Sequence, residues 1–250
     1  MSGHSKWHSI KHAKGAADAA RGKAFARLAR QIEVAARDGG GDVEANPTLR
    51  SMIQKARDAS MPKDNIERAI KRGTGELEGV TYETINYEGY ATNGVAVFVE
   101  VLTDNRNRTG ADIKNIFTRN GGSLAEPGAV AWQFERKGVI ILDKSAGTED
   151  DLMLAALDAG AEDIEDQGDT WQITTGASDL HSVRAALEAA GIAVTSADLT
   201  MLPSQTVALG EASRAKSVLR VIDALEEHDD VQNVYGNFDI PDDVLATVDA

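Results

Sequence analysis

Apolar residues in the first third of the chain recur with the spacing of amphipathic helices. Between residues 22 and 38, Phe25, Leu28, Ile32 and the Ala35-Ala36 pair share one side of a helical wheel. Three glycines at 39–41 end this helix, and Asn46-Pro47 begins the next one. Ser60-Met61-Pro62 separates that helix from a third, which ends at Gly73. The spacing predicts a small helical domain.

Beyond a connector rich in Gly and Glu, the apolar period changes to that of strands. Alternating valines at 95–101 predict a strand, which a helix at 112–120 and a strand at 129–134 follow. The next stretch has the order β-α-β-β-α-β of a ferredoxin-like unit. Its predicted strands and helices cover 139–142, 149–159, a hairpin around 167–169, 171–174, 179–190 and 192–196. A final β-α-β set covers 205–208, 211–227 and 231–238.

These elements predict an α+β multidomain fold with one domain inserted in another. The expected order is an N-terminal small helical domain followed by two ferredoxin-like α/β sandwiches. We expect a basic helical domain at 1–78, a discontinuous α/β domain at 79–135 plus 203–250, and an inserted acidic ferredoxin-like domain at 136–202.

Charge is distributed unevenly between these domains. The whole chain has 26 Lys and Arg against 40 Asp and Glu, a formal net charge of −14. Residues 1–75 contain 15 basic and 8 acidic side chains, a net of +7, whereas residues 76–250 contain 11 and 32, a net of −21. Such asymmetry is typical of a polyanion-binding module attached to an acidic body. The alternative is that both regions are ordinary solvated surfaces.

Several classes of function find little support in the sequence. The chain has no cysteine, which removes disulfides and thiolate chemistry, and its longest apolar run is far short of a membrane span. Gly15 and Gly22-Lys23 lack the spacing of a phosphate loop, and Thr174 stands where a calcium loop needs Glu. No nucleophile and base can be paired. The lack of cysteine fits a reducing compartment. We expect no membrane, cofactor, metal or small-molecule substrate, and an enzyme is the weaker hypothesis.

The basic third supplies the candidate nucleic-acid-binding residues. Lysines and arginines neutralise phosphates, and an aromatic ring or an imidazole among them contacts bases or phosphates. The candidates are Lys6, Trp7, His8, Lys11, His12, Lys14, Arg21, Lys23, Arg27, Arg30, Arg37, Lys63, Arg68, Lys71 and Arg72.

Each group of candidates also has a structural interpretation. Trp7 could anchor the N-terminal segment, and the histidines at every fourth position from His4 could bind zinc, although no carboxylate or thiol completes a set nearby. Within its own helix, only Glu33 can pair with more than one cation of the row from Lys23 to Arg37, which favours a phosphate-tracking role. Lys71 and Arg72 suit a helix C-terminus.

A further segment, Thr103-Asp-Asn-Arg-Asn-Arg-Thr109, leads from a strand to a helix. Its Asp, Asn and Thr residues are natural helix caps, and Arg106 and Arg108 could pair with acidic surroundings. Phosphate binding at this helix N-terminus is the second choice, so these two arginines are secondary candidates.

Short motifs along the whole chain resemble the YebC/PmpR family. They are Met1-Ser-Gly-His-Ser-Lys-Trp-His8, Ile10-Lys-His12, Arg21-Gly-Lys23, Ala35-Ala-Arg-Asp-Gly-Gly40, Met61-Pro-Lys-Asp-Asn-Ile66, Tyr87-Glu-Gly-Tyr90, Thr103–Thr109, Asn120-Gly-Gly-Ser-Leu124 and Gly128-Ala-Val-Ala-Trp132. The resemblance implies a helical N-terminal domain and two α/β domains, one inserted in the other. Ala13 and Ala20 stand where the family commonly has lysine, so positive charge is lost from the expected contact surface.

The resemblance also implies two kinds of regulator. Bacterial members are cytoplasmic proteins usually described as transcriptional regulators, some of which resemble ribosome-associated translation factors. Mitochondrial relatives are translational activators of cytochrome oxidase. The leading hypothesis is a non-enzymatic transcriptional regulator that contacts DNA through its basic N-terminal domain. Its alternatives are a translation factor that binds ribosomal RNA on the ribosome and a pure protein adaptor, and a monomer is plausible.

Overall fold

The structure is a computed structural model that describes residues 17–248, with side chains described for 21–241 and 243–248. Three helices come first: α1 (Ala17–Gly39), α2 (Pro47–Asp58) and α3 (Lys63–Gly73). They enclose a hydrophobic core of their own, with Ile32, Leu49, Ile53 and Ile66 among its buried members. The helices predicted from apolar spacing are confirmed.

One polar residue, Asn46, and one small residue, Gly73, determine how these helices meet. The buried Asn46 donates to the carbonyl oxygens of Ala35 and Gly40 at 2.8 and 2.9 Å, and its side chain accepts from the Leu49 amide at 3.0 Å. It therefore ends α1 and caps α2 at once. At the end of α3, a Cβ on Gly73 would lie 2.4 Å from the Glu33 carbonyl oxygen, so only glycine permits the close approach to α1.

The next part of the chain forms a four-stranded antiparallel sheet, in which the strands at 123–124, 83–90, 96–103 and 231–236 lie side by side in that order. Its strands are β1 (Glu83–Tyr90), β2 (Ala96–Thr103), β3 (Ser123–Leu124) and β9 (Val231–Gly236). The helices that belong to this part are α4 (Arg106–Arg119), α7 (Ala212–Glu226) and α8 (Asp242–Val248). Gly89 pairs with Val97 across β1 and β2, and a Cβ there would lie 2.7 Å from the Phe117 ring. Gly89 thus lets α4 pack closely against the sheet.

This sheet departs from the prediction in its strand order and in one of the predicted strands. In a ferredoxin-like unit built from the predicted elements, the strand at 205–208 would lie between β2 and the strand predicted at 129–134. The structure instead places β1 beside β2, with β3 on its other side, and β1 is antiparallel to both neighbours. The short β8 (Val207–Ala208) instead pairs in parallel with β10 (Phe238–Asp239). The strand predicted at 129–134 was also wrong, because residues 131–133 form a 3-10 turn.

The inserted domain has the predicted ferredoxin-like topology. Its elements follow as β4 (Phe134–Asp143), α5 (Glu149–Ala156), β5 (Ala161–Asp166), β6 (Thr170–Gly176), α6 (Leu180–Ala189) and β7 (Ser196–Pro203). The sheet order is β5-β6-β4-β7, with every neighbouring pair antiparallel. Ile140, Leu152, Trp171 and Ile173 are in its core. The last strand was predicted at 192–196, but it begins only at Ser196.

The described chain divides into two compact units. One contains residues 131–208 and 237–239, and the other contains 17–130, 209–236 and 240–248. The helical region and the four-stranded sheet belong to the same unit. The mixed α+β, multidomain fold class is confirmed, whereas the domain boundaries at 78, 135 and 202 remain predictions.

Candidate nucleic-acid interface

The candidate residues fall into three groups according to where they lie. Lys6, Trp7, His8, Lys11, His12 and Lys14 lie outside the described residues. Arg21, Lys23, Arg27, Arg30 and Arg37 are on α1, and Lys63, Arg68, Lys71 and Arg72 are on α3. Arg106 and Arg108 begin α4.

Three consecutive cations of α1 contact the C-terminal end of α7 and the segment that leads from it into β9. Lys23 donates from Nζ to the Glu227 carbonyl oxygen at 3.2 Å. Arg27 donates to the Glu226 carbonyl oxygen, and Arg30 donates to that of Asp229. We call this contact between the α1 cations and residues 226–230 the α1–α7 seam. Helix α1 itself offers these cations few acidic partners. Their hydrogen-bond acceptors are backbone carbonyl oxygens about two hundred positions further along the chain.

The α1–α7 seam has a simple electrostatic basis. The last carbonyl groups of a helix have no partner within it and carry the negative end of the helix dipole, which cations stabilise. Arg27 is partly buried in this contact. Burial lowers its pKa, and the acidic side chains of Glu226 and Asp229 act in the opposite direction. The Nε of Arg27 is buried without a hydrogen-bond partner among the described residues, so the burial carries a cost.

Asp230 joins the seam to the start of α4. Its carboxylate is buried and accepts from Thr109 Oγ1 at 2.7 Å, from Arg108 at 3.1 Å and from Arg30 at 3.4 Å. Burial alone would raise the pKa of Asp230, but the hydrogen bonds from Thr109 and Arg108, with the charges of Arg30 and His228, hold it below the ordinary value. The Asp230 carboxylate is therefore retained as an anion inside the protein.

The interpretation of Arg106 and Arg108 as part of a capped helix start is supported. Asn105 caps α4 by accepting from the Arg108 amide at 3.1 Å, and the Arg108 side chain also pairs with Asp104 at 2.7 Å. Arg106 is exposed. Arg108 thus has two carboxylate partners of its own, which weakens the case for phosphate binding by this residue.

Glu33 has a similar role between α1 and α3. It is buried and lies 3.4 Å from Arg37 and 3.9 Å from Arg72. Burial raises the pKa of Glu33, while the charges of Arg72 and Arg37 act to lower it. Arg37 also donates to the Val80 carbonyl oxygen at 2.7 Å. These two candidate cations therefore have internal partners.

The remaining α3 cations face outward. Lys63 is 86% exposed and lies 3.4 Å from Glu67, whereas the exposed Arg68 and Lys71 have no ion-pair partner among the described residues. Arg68 and Lys71 are three positions apart, so they are neighbours on the helix surface. The structure thus separates one set of predicted cations into an internal row on α1 and an outward pair on α3.

Sequence reasoning missed Asp230 and the carbonyl groups of residues 226–229. A carbonyl acceptor has no signature in the amino-acid types, and Asp230 is one of many acids in the second part of the chain. Among the described residues, no group of three or more His, Cys, Asp or Glu residues could hold a metal ion. No helix in the range 17–248 is long and apolar enough to span a membrane.

Comparison with known proteins covers nearly the whole chain. The family model described as the TACO1/YebC protein N-terminal domain matches residues 5–76, and the model for the TACO1/YebC second and third domain matches 82–238. A protein of Rubrobacter xylanophilus is 59% identical over 99% of both chains, and one of Syntrophobacter fumaroxidans is 55% identical over 98% of both. Both are named "Probable transcriptional regulatory protein".

The fold also matches a solved structure. The crystal structure of a conserved hypothetical protein from Aquifex aeolicus superposes with a TM-score of 0.80 at 45% sequence identity. The match covers 90% of this chain and 93% of that one. Identity at this level over almost the full length of both chains extends the similarity from fold to family.

Proposed function

This chain belongs to the TACO1/YebC family, and we propose that it is a non-enzymatic regulator of gene expression that binds nucleic acid through its basic helical domain. The names of its relatives favour transcription, and hence DNA, as the leading candidate. We infer a cytoplasmic protein without cofactor or metal. The observation that carries the proposal is the outward pair Arg68 and Lys71, which have no ion-pair partner among the described residues and belong to a stretch, residues 1–75, whose net charge is +7.

Electrostatics favour a backbone contact over the reading of a base sequence. The α1 cations that could have entered a groove donate to the protein's own carbonyl groups. The outward pair is on the short helix α3, where it can follow phosphates without inserting into a groove. We expect weak sequence preference and strong salt dependence.

The test is a titration of the full-length protein with labelled duplex DNA of about 20 base pairs, followed by fluorescence anisotropy at several salt concentrations. Arg68→Gln/Lys71→Gln removes the outward pair. Arg136→Gln/Arg184→Gln removes two charges from the inserted domain and serves as the matched control. We expect the α3 variant to lower the slope of log K against log salt by about two, with a uniform loss of affinity across DNA sequences. A salt-independent affinity, or the same loss in the control, would overturn the proposal.

A second candidate is a translation factor that binds ribosomal RNA. The internal contacts of the α1 cations favour this candidate as well, because RNA that is recognised through its backbone and shape needs no cationic helix in a major groove. Here we expect wild-type protein to sediment with ribosomes and Arg68→Gln/Lys71→Gln to remain in the supernatant, while both bind duplex DNA weakly. Protein that stays out of the ribosomal fraction at low salt would exclude this candidate.

A further inference from the structure

The acidic part of the chain contains a basic layer of its own. Eleven Lys and Arg residues follow residue 75, and seven of them are on just two helices, α4 and α7. These two helices contain three acids, so their combined net charge is +4, against −25 for the rest of residues 76–250. The acidic part of the chain therefore does not have the same charge throughout, and α4 and α7 are its basic helices.

Contacts at the two ends of the helices show that α4 and α7 are antiparallel neighbours. At one end, Arg108 of α4 reaches Asp230, just beyond α7. At the other end, Ser217 of α7 bonds through its hydroxyl to that of Thr92 at 2.7 Å. A Cβ on Gly121, just beyond α4, would lie 3.3 Å from the Thr92 side chain. The C-terminus of α4 and the first turns of α7 thus flank the same turn between β1 and β2.

Three exposed cations lie near this turn: Arg119 is the last residue of α4, and Lys216 and Arg220 are in the first half of α7. We call them the α4–α7 cations. None has an ion-pair partner among the described residues, whereas the nearby Arg214 pairs with Glu211 at 3.4 Å. Lys216 and Arg220 also line an open groove of about 420 Å³ between α7 and α8. The acids that line it lie further along the chain: Asp223 is in the last turn of α7, and Glu227 directly follows the helix.

The surface of α4 and α7 suits a phosphate backbone better than a protein partner. Protein interfaces depend on buried aromatic and aliphatic anchors. The large apolar side chains that are exposed in the described residues all lie outside these helices: Leu77, Val80, Trp132, Leu154, Leu157 and Leu199. Lys216 and Arg220 are four residues apart, about 6 Å along the helix axis, which matches roughly two phosphates of one strand.

We propose that the α4–α7 cations form a second nucleic-acid contact surface, which binds the phosphate backbone beyond the segment held by the helical domain. This inference rests on the proposed function for the identity of the polyanion. The surface adds a footprint on the four-stranded α/β domain, so the nucleic acid contacts more than the basic third of the chain. Its net contribution is electrostatic and independent of base sequence.

The experiment compares Lys216→Gln/Arg220→Gln with the control Arg136→Gln/Arg184→Gln in full-length protein. Both variants remove two cations from residues 76–250, so they have the same net charge. Arg136 is exposed, whereas Arg184 is partly buried and pairs with Glu188 at 2.8 Å. Binding of labelled duplex DNA and of an RNA hairpin is measured from about 50 to about 300 mM salt. We expect the α7 variant to lose about tenfold or more in affinity at about 100 mM salt and about two in the salt slope. Adding Arg119→Gln should lower the slope by about one more.

Each outcome separates this inference from the function on which it rests. Wild-type affinity in the α7 variant together with a loss in Arg68→Gln/Lys71→Gln would overturn the second surface and leave the proposed function intact. The reverse pattern would support the second surface and remove the helical contact. An equal loss in the control would reduce the effect to net charge and overturn the inference. Binding of a polyglutamate peptide that disappears in the α7 variant, with nucleic-acid affinity unchanged, would assign the surface to an acidic protein segment instead.

Discussion

The cations of α1 and those of α3 look alike in the sequence but have different roles in the structure. Lys23, Arg27 and Arg30 donate to carbonyl oxygens and a carboxylate of the α/β domain. Arg68 and Lys71 face outward without an ion-pair partner among the described residues. The difference shows that positive charge on a helix has two uses: it can hold one part of a protein to another, or it can remain available for a ligand.

This comparison predicts opposite consequences for the two rows. Loss of an α1 cation should reduce the free energy of unfolding and leave the salt slope of nucleic-acid binding unchanged. Loss of Arg68 or Lys71 should lower the salt slope and leave the free energy of unfolding nearly unchanged, because an exposed charge without an ion-pair partner adds little to stability.

The largest effect on stability is expected for Asp230→Asn. The substitution keeps the shape of the side chain but removes the charge shared by Thr109, Arg108 and Arg30. Since this carboxylate is buried and Arg108 is half exposed, we expect a loss of about 2 kcal/mol and a fall in Tm of about 6 °C. Calorimetry measures it. Asp229→Asn is the matched control, because Asp229 contributes its carbonyl group to the seam, and a comparable loss there would contradict the role given to Asp230.

A smaller effect is expected for Arg27→Met. The variant loses a charge-assisted hydrogen bond to the Glu226 carbonyl oxygen, but it also removes the buried Nε that has no partner in the described part of the chain. The two changes oppose each other, so we expect a net loss of about 1 kcal/mol in the free energy of unfolding. Denaturant titration measures this value, and anisotropy checks that the salt slope is unchanged. A slope reduced by about one would move Arg27 into the nucleic-acid interface.

The pH dependence of stability should distinguish the two buried carboxylates. The pKa of Asp230 is lowered, so its contribution is complete above the ordinary value and is lost as the pH falls through the folded-state value. The pKa of Glu33 is raised, so the folded state favours the neutral form of this side chain. As the pH rises above the ordinary pKa of Glu, ionisation of Glu33 therefore lowers the stability of the folded state.

Variants of the two residues test these opposite pKa directions through the pH dependence of stability. Between about pH 6 and about pH 3, the stability advantage of wild type over Asp230→Asn should shrink as the pH falls. Over the same range, Glu33→Gln should lose stability relative to wild type, because protonation of Glu33 relieves the wild type alone. Thermal denaturation in a pH series measures both, and curves that shift in the same direction would show that the two pKa directions are not opposite.

The smallest effect is expected for Lys23→Gln. Lys23 is exposed and contacts the end of α7 through one hydrogen bond of 3.2 Å, which solvent and salt screen. We expect less than about 0.5 kcal/mol at low salt and no measurable difference at about 0.5 M salt. A larger loss that survives high salt would mean that Lys23 packs in the seam as Arg27 does.

Local patterns predicted much of the fold. Apolar spacing located α1 to α3, and the β-α-β-β-α-β order of the inserted domain followed from strand and helix signals within short windows. The place of β1 in the four-stranded sheet, where the strand at 205–208 was expected, was not predicted. Several strands can complete the same sheet, and only long-range pairing selects one of them. In the candidate site, the cation types were visible in the sequence, but their partners were not.

The sequence by itself determined the helices, the order of most strands and the concentration of positive charge at one end, because these depend on residues close together in the chain. Tertiary structure decided which cations remain available. The acceptors of Lys23, Arg27 and Arg30 lie about two hundred residues further along the chain, and α4 and α7 are separated by the inserted domain before they meet. Charge acts through space, so its use could be assigned only once folding had brought these segments together.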